Sequence, residues 1–173
     1  GQAHYALGQW PEAINPFTTT LKLAPDQADI YLMLSSCYSN LRKHAEAEDC
    51  LHTLISFHAS LSEAWLALGN AQLTQKKPIE ALNSYRQAAT LAPDDFRPHH
   101  ATARALISLG QHRQAIESIQ AAAHLAPSNN ELLRELGACW FECGEHEKAT
   151  NFYRQSQSLP ENNTTSLQLA VKL

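Results

Sequence analysis

SEAWLALGNAQLTQKKPIEALNSYRQAATLAPDD, residues 62–95, decides the fold. Trp65, Leu68 and Gly69 open one run of helical periodicity, which the polar Gln72 interrupts, and Ala81, Tyr85 and Ala88 mark a second. Apolar positions spaced i, i+3, i+4, i+7 turn one face of an α-helix toward a neighbour. Pro93 closes the second run, because proline lacks an amide donor and clashes with the preceding turn. Outward from this stretch the same residues return. Alanine recurs at Ala13, Ala47, Ala81, Ala115 and Ala149, always 34 residues apart. Four positions after each stand Phe17, Leu51, Tyr85, Ile119 and Tyr153, and ten after stand Leu23, Phe57, Leu91, Leu125 and Leu159. Twelve before each alanine lie Gly1, Ser35, Gly69, Ala103 and Gly137, all small. Sixteen before lie Tyr31, Trp65, His99 and Leu133. Proline follows at Pro25, Pro93 and Pro127, with Pro160 one place early and Ala59 in the remaining slot. Self-similarity at a fixed period of this size is the signature of a repeat architecture.

These columns resemble the tetratricopeptide repeat, a helix-turn-helix unit of 34 residues, and residues 62–95 carry nearly its whole pattern. Residues 28–61 lack its glycine and proline, and residues 96–129 place His99 where an aromatic is usual. The resemblance covers essentially the entire chain. It implies an all-α fold, a right-handed α–α superhelix (solenoid) of tandem helical hairpins. The expected division is a partial unit at 1–27, full units at 28–61, 62–95, 96–129 and 130–163, and a partial repeat or capping helix at 164–173. Gly1 stands at the eighth place of its unit, and the end bearing Leu167, Leu169, Val171 and Leu173 is not the polar cap that closes an array. The native chain is therefore expected to continue into further repeats or a second domain.

Gly8, Gly110 and Gly144 fall where the first helix of a unit must stop, and glycine accepts the left-handed conformation such an ending needs. Arg42 and Lys76 hold that slot in the other units. The small columns predict close helix packing, with Gly69 facing Ala81. On that reading Ala81→Phe overpacks the hairpin and destabilises it by ~1–3 kcal/mol.

Hydrophobic content of 44% with 17% charged residues excludes a disordered tail. Thirteen Lys and Arg against 17 Asp and Glu give a net charge of -4, so no nucleic-acid partner is expected. No apolar run approaches the ~20 residues that span a bilayer, and no N-terminal signal is present; a cytoplasmic location is expected. Four cysteines in 173 residues do not make a disulfide scaffold. Cys37 and Cys139 share a column with Ala3, Ala71 and Ala105, and Cys143 shares one with Leu7, Leu41 and Leu109, so they read as packing residues. His44, His112 and His146 share another column, at least a full repeat apart. Stacked helices stand about 10 Å apart, whereas metal ligands converge within ~2 Å; neither a metal nor another cofactor is expected. His99, beside His100, falls in the aromatic packing column. No phosphate loop, nucleophile elbow or metalloprotease helix motif occurs, and no catalysis by this segment is expected.

One face remains. At ~100° per residue, places 2, 5, 6, 9, 12 and 13 of each unit point away from the packed stripe. In the tetratricopeptide family that face lines a peptide-binding groove. It carries Leu32, Met33 and Ser36 in the unit 28–61, and Leu66, Asn70 and Leu73 in the next. Arg97, His100, Arg104 and Ile107 follow, then Arg134 and Phe141. A merely solvated face would be polar throughout, and an exposed apolar strip marks a binding surface; the competing reading packs places 5 and 12 against the neighbouring helix. Arg97, His100, Arg104 and Arg134 form a cationic segment able to pair with a carboxylate or phosphate, unless Glu131, Glu135 and Glu142 neutralise it. The family's carboxylate clamp does not carry over, since Leu32, Ser36, Ala67, Arg97 and Ala101 stand at its places. Nor does the asparagine ladder of the O-linked sugar transferases, whose place holds Met33, Ala67, Ala101, Glu135 and Leu169. The expected function is a scaffold that holds a protein or peptide partner in the groove. The alternative is a non-catalytic, partner-recruiting arm of a larger sulfotransferase- or glycosyltransferase-type enzyme, where Leu-Ala-Pro-Asp helix endings like those at 23–26 and 91–94 also occur.

Overall fold

The stretch that sets the period folds into two helices, α5 at Ser62–Thr74 and α6 at Pro78–Leu91. A computed structural model describes residues 1–158, and among these the chain forms ten α-helices and no strand. Before α5 come α1 (Gln2–Ala6), α2 (Trp10–Leu23), α3 (Ala28–Asn40) and α4 (His44–Phe57); after α6 come α7 (Phe96–Ser108), α8 (His112–Leu125), α9 (Asn130–Glu142) and α10 (His146–Ser158). The expected partial repeat or cap at 164–173 lies outside the described residues.

Local chemistry starts and stops these helices. Proline in the first turn of α2 and α6 gives up an amide that no helical carbonyl would have met. Asp95 and Asn129 cap α7 and α9 by accepting from the amides of Arg97 and Glu131 at 2.9 and 3.0 Å. Each first helix ends in a left-handed residue: Gly8, Gly110 and Gly144 at φ 70, 71 and 81°, and Arg42 and Lys76 at 60°. The slot read from the sequence is thus a backbone requirement, met by glycine in three hairpins and by long side chains in two.

Each helix packs on the next, and successive first helices also touch, α3 on α5 and α5 on α7. The result is a right-handed α–α superhelix. The alanine column is its spine: Ala13, Ala47, Ala81 and Ala115 are 0% exposed and Ala149 2%. With no room beyond a methyl group, these positions let the helices approach closely. The partner of Gly69, however, is not Ala81 as expected. The nearest atoms to a Cβ placed on Gly69 all belong to the Tyr85 ring, which it would overlap. A Cβ added to Gly1 or Gly137 would likewise fall only 2.7 or 2.9 Å from the ring of Phe17 or Tyr153.

Gln72, an interruption of the apolar pattern in the sequence, is buried and hydrogen-bonded through both its oxygen and its nitrogen. Ser84 donates to its carbonyl at 2.7 Å, and its amide donates to Glu48 at 3.4 Å. Glu48 also accepts from Gln75 at 2.7 Å and Lys77 at 2.8 Å, so one carboxylate on α4 ties down the α5–α6 turn. Burial pushes the Glu48 carboxyl up, but the hydrogen bonds from Lys77, Gln75 and Gln72 outweigh it and hold the group below its ordinary value.

Candidate functional site

The face left free by packing is built from the first helices. Part of it forms an open groove of about 560 Å³ over α1, α3 and α5. Leu32, Met33 and Ala67 supply its apolar lining, and Ser36, Asn70 and Thr74 its hydrogen-bonding groups. Asp29 and Glu63, one turn N-terminal of these on α3 and α5, add two carboxylates. Periodicity explains the grouping, since residues three, four and seven apart stand on one side of a helix.

The polar groups are partly pre-set. Tyr5 on α1 donates to Ser36 at 3.2 Å across the groove. Tyr85 donates to the Asn70 carboxamide oxygen at 2.9 Å, which leaves the exposed amide nitrogen of Asn70 for a ligand. Thr74 donates its hydroxyl to carbonyls of its own helix, at Asn70 and Ala71, and its oxygen also meets His44 Nδ1 on α4 at 3.4 Å. The floor is therefore ordered without being saturated.

Of the residues named from sequence, Leu32, Met33, Ser36 and Asn70 line this groove. Leu32 and Met33 are half-buried and also lean on the N-terminal core. Leu66, Leu73 and Ile107 are half-buried against the C-terminal core, which gives them a packing role. Phe141 is 45% exposed, its ring edge-on to His146 at 4.9 Å.

The cationic residues do not form one segment. Arg97 turns back to the cap residue Asp95, with donor–acceptor distances of 2.8 to 3.1 Å. Its hydrogen bonds hold the Asp95 carboxyl below its ordinary range and raise Arg97 further. His100 on α7 meets Glu135 on α9 at 2.8 Å. Arg104 is exposed and Arg134 half-buried, and among the described residues neither makes an ion pair.

The four thiols are free. Burial pushes Cys50 up to about 12 and Cys139 up to about 11, so both stay protonated and unreactive at neutral pH. Cys50, at a variable column in the sequence, donates to the Tyr31 carbonyl at 3.5 Å across its hairpin.

Five residues that line the groove were not on the face read from the sequence: Ser35, Leu51 and Ala71, which stand in packing columns, and Tyr5 and His44. Tyr5 occupies place 12 of the first, incomplete unit, where the register applied to the other units would have found it. His44 belongs to α4, a second helix, and no first-helix pattern reaches it.

The model of the tetratricopeptide repeat family matches residues 26–170. Anaphase-promoting complex subunit 3 of Schizosaccharomyces pombe is 23% identical over 145 residues, 84% of this chain and 22% of that protein. Small glutamine-rich tetratricopeptide repeat-containing protein 2 of Saccharomyces cerevisiae is 30% identical over 83 residues, 48% of this chain and 24% of that protein. The chain thus spans a quarter or less of these relatives, 22% and 24%. Among solved structures, MamA from Desulfovibrio magneticus superposes with a TM-score of 0.83 at 19% identity, covering 91% of this chain and 89% of that one. The Pseudomonas aeruginosa pilF structure gives 0.82 at 18% identity, covering 94% and 74%.

Proposed function

The chain belongs to the tetratricopeptide repeat family, and from that premise we propose that it is a protein-interaction scaffold that holds an extended peptide in its groove, with no catalysis by this segment. The observation that carries the reading is the groove over α1, α3 and α5, with its apolar lining of Leu32, Met33 and Ala67 beside the free amide of Asn70. Apolar lining gives affinity by removing ligand surface from water, and a few placed polar groups fix orientation. Asp29 and Glu63 favour a peptide carrying a cation near its apolar anchor. A relative named as a subunit of a complex points the same way. In this reading the partial unit 1–27 and the units 28–61 and 62–95 bear the groove.

The test is selection of binding peptides from a random displayed library on the chain of 173 residues, followed by affinity measurement on two variants. Met33→Glu places a charge on the lining, and Thr74→Arg fills it from an exposed position. Both should weaken a selected peptide by at least about tenfold, roughly 1.4 kcal/mol, while circular dichroism shows intact helix. Unchanged affinity in both would remove the groove from the account.

A further inference from the structure

The other half of the same face carries a different chemistry. His100 on α7 and Glu131 and Glu135 on α9 bring one imidazole nitrogen and two carboxylate oxygens within 4.8 Å of one another. Glu131 and Glu135 are one helical turn apart, so both project toward the same neighbour. That neighbour is His100, already 2.8 Å from Glu135, with side-chain exposures of 15% and 25% for the two.

The repeat supplies its own controls. The three residues occupy place 5 of one unit and places 2 and 6 of the next. One unit earlier those places hold Leu66, Arg97 and Ala101, and two units earlier Leu32, Glu63 and Ala67. Each of those sets holds two apolar residues and one charged one. Only this interface, among the described ones, replaces all three with metal-ligating types.

We infer that His100, Glu131 and Glu135 bind a divalent transition-metal ion such as Zn²⁺ in the groove between α7 and α9. One imidazole and two carboxylates suit a borderline cation, and two carboxylates with a neutral imidazole match its charge of two. Donors bound to one tetrahedral zinc stand about 3.4 Å apart, which side-chain torsions can reach from the present spacing. Three protein donors leave a fourth position open, facing the groove and free for water or a partner's carboxylate or imidazole. Arg104, one turn beyond His100 on α7, and Arg134 on α9 oppose the ion by repulsion.

The site was hidden from a reading by columns, because its donors come from three different columns. The column of His100 holds no second histidine, only Leu32, Leu66 and Arg134 in the other full units. The inference is independent of the peptide reading, since its readout is metal alone.

Isothermal titration of the untagged chain with ZnCl₂ tests it. One ion per chain should bind. Loss of a ligand should weaken it at least as much as the about 10- to 100-fold that outer-shell partners carry, in both His100→Ala and Glu131→Gln. Glu131 is exposed and makes no ion pair among the described residues, so Glu131→Gln should leave the metal-free melting curve unchanged. Arg104→Gln should tighten binding, and Met33→Glu should leave it as it was. Zinc affinity unaltered in both ligand variants, no saturable binding, or equal affinity for MgCl₂ would each overturn the site.

Discussion

Each hairpin solves the same volume problem with a pair of residues 16 apart. Where the second helix offers a ring, as at Phe17, Tyr85 and Tyr153, the first offers glycine; where it offers Leu51 or Ile119, the first offers Ser35 or Ala103. Tyr85 is 0% exposed and its hydroxyl is tied to Asn70, so its ring cannot step aside. Gly69→Ala should therefore destabilise by about 1–3 kcal/mol of overpacking, less the ~1 kcal/mol that alanine gains over glycine within a helix. Combined with Tyr85→Leu, the loss should fall short of the sum of the two single losses, as coupled neighbours require; strict additivity in urea melts would contradict the pairing. The five pairs were in the sequence, but reading columns one at a time matched Gly69 to Ala81. Glu48 adds a pH signature. Its folded value lies below the ordinary 4.5, so its contribution is fully present above that and is lost as pH falls through the folded value. Glu48→Gln should flatten the acid side of the stability profile, read as melting temperature against pH, and leave the profile above pH ~5 parallel.

At the scale of the helix, the ends were the most legible feature. Sequence placed a left-handed stop at five equivalent positions, and all five adopt φ between 60 and 81°. Arg42 and Lys76 take that conformation at a steric cost of roughly 1–2 kcal/mol, while glycine there would lose about 0.5–1 kcal/mol of chain entropy. Arg42→Gly should thus stabilise the fold by a fraction of a kcal/mol to about 1 kcal/mol, seen as a rise in the urea midpoint with unchanged slope. A drop would mean that the Arg42 side chain does something beyond ending α3. What sequence could not show at this scale was the polar bridge through Gln72 and Glu48, since nothing local says that a glutamine in an apolar stripe has a serine and a glutamate waiting on two other helices.

Across the whole molecule, contacts run from each helix to its neighbours, so stability is carried along the array as a sum of local terms. Helix α1 buries no residue, whereas α5 to α8 are packed on both sides. Native-state hydrogen exchange should accordingly show the slowest amides in α5 to α8 and the fastest in α1. The solenoid followed from period alone, because a 34-residue repeat fixes which faces must meet. The candidate site followed less fully: period gave the face, and Leu32, Met33, Ser36 and Asn70 with it, but only the assembled helices show that Leu66, Leu73 and Ile107 are partly spent on packing and that Arg97 is held by its own cap. The proposed peptide-binding role of the groove is tested most directly by mapping amide chemical-shift changes as a selected peptide is titrated into the labelled chain. The account predicts that the largest changes fall on α1, α3 and α5 around Met33, Ser36 and Asn70. Changes confined to the opposite helices α4 and α6 would contradict it.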